Sequence, residues 1–152
     1  MSEERPPVTV FVHGSAEAGI GAAWGRVITN GQKTKAASSG DRQSSHIRML
    51  MTGAAKALEA LRPGIPITLV SRNDLLIRGM TEWLPGWKAR GWRKSDKKPV
   101  ENRDLWERLE AAAETHMSVE WRRPVDADEA HLIAAQEAAQ RALRRLAAKR
   151  PA

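Results

Sequence analysis

Between Thr81 and Leu109 the chain reads TEWLPGWKARGWRKSDKKPVENRDLWERL, and four of its six tryptophans fall there. The same stretch carries Lys88, Arg90, Arg93, Lys94, Lys97, Lys98 and Arg103, with Asp96 as the only acid between Lys88 and Lys98. Large planar rings alternating with cations suit a folded surface that packs through the rings and attracts phosphate through the charges. Tryptophan is costly to leave in a disordered tail, so the stretch is expected to be a folded, basic protrusion. A second set of reactive types is VDADEAH, with Asp126, Asp128, Glu129 and His131; Asp74 stands apart from it. Clustered carboxylates suit a hard divalent cation. Acids at the start of a helix also offset its positive end, and capping is the simpler role for VDADEAH.

The rest of the composition narrows the partners. At 152 residues the chain is expected to be a single domain over 1–152, with loose ends at 1–6 and 149–152. A net charge of +7 favours a polyanionic partner, and nucleic acid leads. An acidic membrane surface fits less well, because the cations are mixed with tryptophan and acids instead of lining one amphipathic helix. The absence of cysteine excludes disulfides and thiolate metal sites and fits a reducing cytoplasm. No apolar run approaches the roughly 18 residues of a membrane span, and MSEERPP lacks the apolar core of a secretory signal.

Several elements must position these groups. VTVFV (8–12) reads as a strand ending at His13, followed by a glycine-rich turn, GSAEAGIG, and a second strand in AAWGRVIT. Asn30-Gly31 signals a two-residue hairpin into a third strand, QKTKAASSG. From about Gln43 the period changes: Ile47, Leu50, Met51, Ala54, Ala55, Leu58 and Leu61 mark a buried helix, with Ser44 or Ser45 as cap and Pro63-Gly64 as stop. ITLVS (67–71) is a strand, and strand–helix–strand implies parallel pairing. Arg72 to Trp87 predicts short helices broken near Gly79 and Pro85. A helix follows the basic loop from Glu101 or Asn102, then a strand in MSVEWR. The final helix begins at Asp126 or Asp128, with Leu132, Gln136, Ala139, Leu143 and Leu146 on one face. The order predicts an α/β domain: a five-stranded mixed sheet, three antiparallel strands then parallel ones, with helices on both faces.

These residues resemble the bacterial type 1 ribonuclease H family across nearly the whole chain. GMTEWLPGWKARGWRKSDKKPVENRDLWERL is similar to that family's helix, basic protrusion and following helix. FVHGS resembles its first-strand motif, KALEALRPG the end of its first helix, and VEWRRP its last strand. The resemblance implies the ribonuclease H-like fold and cleavage of the RNA strand of an RNA–DNA hybrid. It also implies two magnesium ions held by four carboxylates, which activate water and steady the leaving oxygen. The corresponding positions depart from that pattern. His13 stands where an aspartate precedes Gly-Ser, and Leu50 where a glutamate follows Arg48-Met49. Arg72 stands where the fourth strand ends in aspartate, and Ala135 near the fourth aspartate. Val125 stands at the proton-relay histidine.

From these departures the sequence predicts a chain that is not an enzyme, needs no metal or other cofactor, and binds nucleic acid, hybrid or other duplex, without cutting it. The resemblance assigns Trp83, Trp87 and Trp92 to the packed core of the protrusion, where any base or sugar contact is secondary. Lys88, Arg90, Arg93, Lys94, Lys97 and Lys98 are then candidate phosphate contacts. Ser45 stands where the family uses a threonine for a DNA-strand phosphate. Arg72, with His13, either holds a backbone phosphate or turns to solvent. The Gly14–Gly21 turn lacks the family's asparagine, which removes an expected route to RNA 2′-hydroxyls. Arg141, Arg144, Arg145, Lys149 and Arg150 extend the basic surface or form a solvated face. The alternative is a protein-interaction scaffold or homodimer that uses a groove made apolar by Leu50, Ala135 and Val125. A rebuilt catalytic site around His13, Asp74 and Asp126 is a third possibility.

Overall fold

Side-chain alternation along the first strand sets up two cores. In the computed structural model, which describes residues 6–149, strand β1 runs Val8–Glu17. Val8, Val10 and Val12 join the large core cluster with Leu50, Met51, Ala54 and Leu58 of helix α1 (His46–Ala60). Phe11 faces the other way, with Leu132 and Ala135 of helix α5 (Glu129–Ala148). The sheet is therefore covered on both faces, and its central strand β1 is apolar on both sides over residues 10–12, as such burial requires. The loose ends expected at 1–6 and 149–152 lie outside the described residues, except for Pro6 and Lys149.

The sheet has five strands in the order β3-β2-β1-β4-β5. Strands β2 (Gly21–Thr29) and β3 (Thr34–Asp41) continue from β1 as an antiparallel meander. Strands β4 (Pro66–Val70) and β5 (Ser118–Arg122) are parallel to β1. The expected mixed sheet is present, with helices on both faces.

Local chemistry explains several boundaries. Ser45 is the N-cap of α1, and its hydroxyl accepts the Arg48 N–H at 3.2 Å, an interaction typically worth about 1 kcal/mol. Arg48 in turn reaches Asp104 at 2.8 Å and Asn102 at 3.0 Å, tying α1 to helix α4 (Arg103–Glu114). The two-residue hairpin expected at Asn30-Gly31 is instead a four-residue connection, since Thr29 pairs with Thr34. The Asn30 side chain accepts both the Gln32 and Lys33 N–H groups, at 2.9 and 2.8 Å, and so organises the longer loop.

The segment expected as short helices broken near Gly79 and Pro85 is one continuous helical rod. Helix α2 (Asp74–Arg78) passes through a π-helical turn (Gly79–Trp83) into helix α3 (Leu84–Ala89). Pro85 falls in the first turn of α3, directly after the π-helical turn, where the i to i−4 ladder is already interrupted. Gly79 is not a breaker: its α-carbon packs against Trp106, and a Cβ there would lie 2.1 Å from the indole ring. The last helix starts after a 3₁₀ turn, Asp126–Asp128, and its buried face is Leu132, Ala135, Ala138, Ala139, Ala142 and Leu143. Gln136, placed on that face by periodicity, is only partly buried, and Ala135 takes the inward position. The β2 backbone comes so close that a Cβ on Gly25 would lie 2.0 Å from the Ala135 carbonyl.

Candidate nucleic-acid interface

The protrusion is built on packed tryptophan rings, tilted and edge-on to one another. Trp83 and Trp87 lie with ring centroids 5.8 Å apart, and Trp87 meets Trp106 of α4 edge-on at 5.2 Å. Trp87 and Trp92 are only 8% and 9% exposed and belong to the main core; Trp83 packs against it, partly buried. Arg78 covers the Trp83 ring at 4.7 Å and Arg103 covers Trp92 at 5.1 Å, geometries that favour a cation over an indole face.

Beyond α3 the chain doubles back through a short bridge between Arg93 and Pro99. The Val100 N–H donates to the Trp92 carbonyl at 3.0 Å, and the Lys94 N–H to the Lys98 carbonyl at 2.9 Å. Trp92, Lys97 and Asn102 take left-handed backbone conformations, at φ of 63°, 70° and 61°. Non-glycine residues hold that conformation only where their surroundings impose it, and the hydrogen bonds here do. Asp96 spends a carboxylate oxygen on the Lys98 N–H, at 3.0 Å.

The six candidate cations divide by what already holds them. Lys88 pairs with Glu110 at 3.0 Å. Arg90 donates to the Arg93 carbonyl at 3.1 Å, and Arg93 to the Lys97 carbonyl at 3.0 Å, so both brace the loop while keeping their charge. Lys94, Lys97 and Lys98 make no salt bridge among the described residues. Their ammonium groups are the least neutralised on the ridge. The Ser45 hydroxyl serves as the α1 cap, which uses its oxygen as acceptor and leaves its O–H to donate. Arg145 of the late helix donates to Ser38 at 2.9 Å, while Arg141 and Arg144 are exposed.

A second feature lies where β4 ends beside the middle of β1. The parallel register pairs Phe11 with Val70, so His13 and Arg72 both stand two residues past that pair, side by side. Gly14 lets the start of α1 close on β1, since a Cβ there would sit 2.4 Å from the His46 carbonyl. The result is a pocket of about 160 Å³ whose lining includes His13, Gly14, His46, Leu50, Ser71 and Arg72. His13 shares a hydrogen bond with the Ser15 hydroxyl at 3.0 Å. Burial first, then Arg72 and His46, hold its imidazole below the ordinary histidine range. His46 is not among the residues singled out from the sequence. Its one sequence signal is Gly14, a glycine placed where a helix start must approach a strand.

The remaining family positions differ in their packing. Leu50, though only 2% exposed, lines that pocket, whereas Ala135 is fully buried outside its lining; of the three apolar replacements only Val125, 60% exposed, is at the surface. Two of the four carboxylates weighed for a displaced metal site are occupied by arginines. Asp74 pairs with Arg123 and lies 3.9 Å from Arg78. Asp128 is buried, pairs with Arg122 at 2.7 Å and accepts the Val125 N–H at 2.8 Å, so it secures the start of the last helix. Arg122 holds its carboxyl below the usual carboxylate range. His131 stacks on Phe11 at 4.7 Å. Among the described residues no group of three or more histidines or acids is placed to hold a metal ion. The side chains of the pocket are two imidazoles, a guanidinium, one hydroxyl, one amide and alkyl groups, with no carboxylate, and do not fit a pair of magnesium ions, which need clustered anionic oxygen ligands. Among the described residues no helix is long and apolar enough to cross a membrane.

Comparison with known proteins gives a consistent picture. The RNase H family profile matches residues 5–145. Ribonuclease H of Bradyrhizobium diazoefficiens is 38% identical over 119 residues, which is 78% of this chain and 77% of that protein. Ribonuclease HI of Caulobacter vibrioides is 38% identical over 118 residues, 77% of this chain and 78% of that protein. Among solved structures, LC9-RNase H1, a type 1 RNase H with the type 2 active-site motif, superposes with a TM-score of 0.78 at 23% identity, covering 96% of this chain and 76% of that one. LC11-RNase H1, solved in complex with RNA/DNA hybrid, gives 0.64 at 16% identity, covering 90% and 99%. These two show the fold.

The curated relatives correct one expectation. The sequence predicts a chain that is not an enzyme, whereas proteins this similar over more than three quarters of its length carry an enzyme's name. The expectation passes from the loss of one ligand set to the loss of all activity, and unsuitability for magnesium at four positions does not establish the second. With the profile match spanning nearly all of its length and these relatives beside it, the chain belongs to the RNase H family.

Proposed function

We propose that the protein binds duplex nucleic acid, RNA–DNA hybrid foremost, by seating its phosphate backbone against the protrusion between α3 and α4. The observation that carries this reading is the loop at Lys94, Lys97 and Lys98, three cations without carboxylate partners on a turn fixed by backbone hydrogen bonds and underlain by buried Trp87 and Trp92. Such a ridge holds charge at fixed spacing, so little ordering is needed when phosphates arrive. The name shared by the family's curated members supports hybrid as the ligand, and LC11-RNase H1 has been solved with one. Contacts of this kind position a duplex without reading its sequence.

The test is fluorescence anisotropy with a labelled RNA–DNA hybrid of mixed sequence across a salt series, beside duplex DNA, duplex RNA and single strands. The expected result is weak sequence preference and a log–log salt slope of roughly −0.9 per phosphate contacted. The same hybrid, run on a denaturing gel after incubation, reports whether its RNA strand is cut. Affinity that stays level as salt rises severalfold removes the proposal.

A further inference from the structure

The pocket between the middle of β1 and the end of β4 has the wrong charge for cations. His13 comes from β1, His46 from the first turn of α1, and Arg72 from the residue after Ser71 at the end of β4. The other polar groups of the lining are Ser71 and Asn73, whose oxygens already accept: the Ser71 hydroxyl accepts the Asn73 N–H at 3.0 Å, and the Asn73 side chain caps α2 through the Leu76 N–H at 3.0 Å, which leaves only their donors to a ligand. Among the described residues no acid lines the pocket. Of the acids weighed as metal ligands, Asp74 pairs with Arg123 and Asp128 with Arg122. Across the sheet, α5 contributes His131, which is stacked on Phe11. A guanidinium, two imidazoles and the positive end of a 15-residue helix therefore converge with no opposing carboxylate in the lining.

We propose that this pocket is an anion site, in which Arg72, His13 and His46 together receive one phosphate group of a bound nucleic-acid backbone. Arg72 supplies the fixed charge and a planar fork of N–H donors that matches two phosphate oxygens. The imidazoles supply further donors from the strand and helix sides. The volume, about 160 Å³, is sufficient for a phosphate group. The identity of the phosphate's carrier rests on the nucleic-acid reading above; the pocket's preference for an anion over a divalent cation does not.

Two measurements separate those claims. In the first, inorganic phosphate is titrated into the full chain at constant ionic strength while the imidazole resonances of His13 and His46 are followed by NMR. Saturable shifts of both, absent with chloride and lost in Arg72→Ala, are expected. Shifts that chloride reproduces, or that persist in Arg72→Ala, overturn the site. So do saturable shifts produced by magnesium, which a cation site would give. In the second, Arg72→Ala is compared with wild type for hybrid binding, and the log–log salt slope is expected to fall by roughly 0.9, one phosphate. An unchanged slope there, with phosphate still bound in the first experiment, rejects the backbone as carrier and keeps the anion site. Arg72 is exposed, so its truncation leaves the core untouched; His13→Gln, which retains a donor, should lose less phosphate affinity than Arg72→Ala.

Discussion

The protrusion makes a quantitative demand on one double variant, Lys94→Gln with Lys98→Gln. Both ammonium groups lack a carboxylate partner, and both residues lie on a turn held by backbone groups that glutamine keeps. Lys97 is left alone, because its left-handed backbone and the Arg93 bond to its carbonyl make it part of the scaffold. If each lysine neutralises one phosphate, the log–log salt slope falls by roughly 1.8, about 0.9 per contact. At 0.1 M salt that corresponds to roughly 60-fold weaker hybrid binding, about 2.5 kcal/mol. Lys88→Gln is the internal comparison. Its charge is already offset by Glu110 at 3.0 Å, so its slope should change by less than half of one contact's worth. Anisotropy across a salt series resolves these slopes. Equal slopes for wild type and the double variant, or a Lys88 effect as large as theirs, would refute the reasoning.

Three further outcomes concern the frame around the interface. Gly79→Ala should destabilise the fold by about 1–3 kcal/mol in urea unfolding, because the added methyl meets the Trp106 ring at 2.1 Å and one of the two must move. Asp128→Asn should flatten the acid limb of stability: Arg122 holds the wild-type carboxyl low, so its contribution is complete above the ordinary carboxylate value and lost as pH falls through the depressed one. His13→Gln should act at milder pH. Burial and the neighbouring cations depress the His13 imidazole, so below about pH 6.5 the unfolded chain binds more protons. Wild-type stability should therefore decline there on acidification, and the variant's should decline less.

Much of this architecture can be read from the sequence, because local rules and tertiary packing agree there. The Ser45 cap, the α1 period through Leu50 and Leu58, and the Pro63-Gly64 stop all follow from short-range chemistry. Where they disagree, the sequence misleads. GSAEAGIG looks like a turn, yet β1 continues to Glu17 because pairing with β2 from Gly21 to Gly25 outweighs the low strand propensity of its glycines and alanines. Gly79 looks like a breaker, yet its bare α-carbon is what Trp106 needs. The protrusion is legible because its rings and cations are consecutive. The anion pocket is only half legible: His13 and Arg72 stand out as substitutions, but His46 joins them only through the close approach of α1 to Gly14. Activity is the least legible property, since four missing ligands speak to one metal site and not to every chemistry the chain can perform.

The edge-on contact between Trp87 and Trp106 makes the basic loop an outgrowth of the core and not an appendage. Local melting of the ridge must then wait on loosening of α4, so its amides should exchange with solvent almost as slowly as those of the helix beneath it. Docking of a nucleic acid would then proceed as rigid-body association, with no disorder-to-order step.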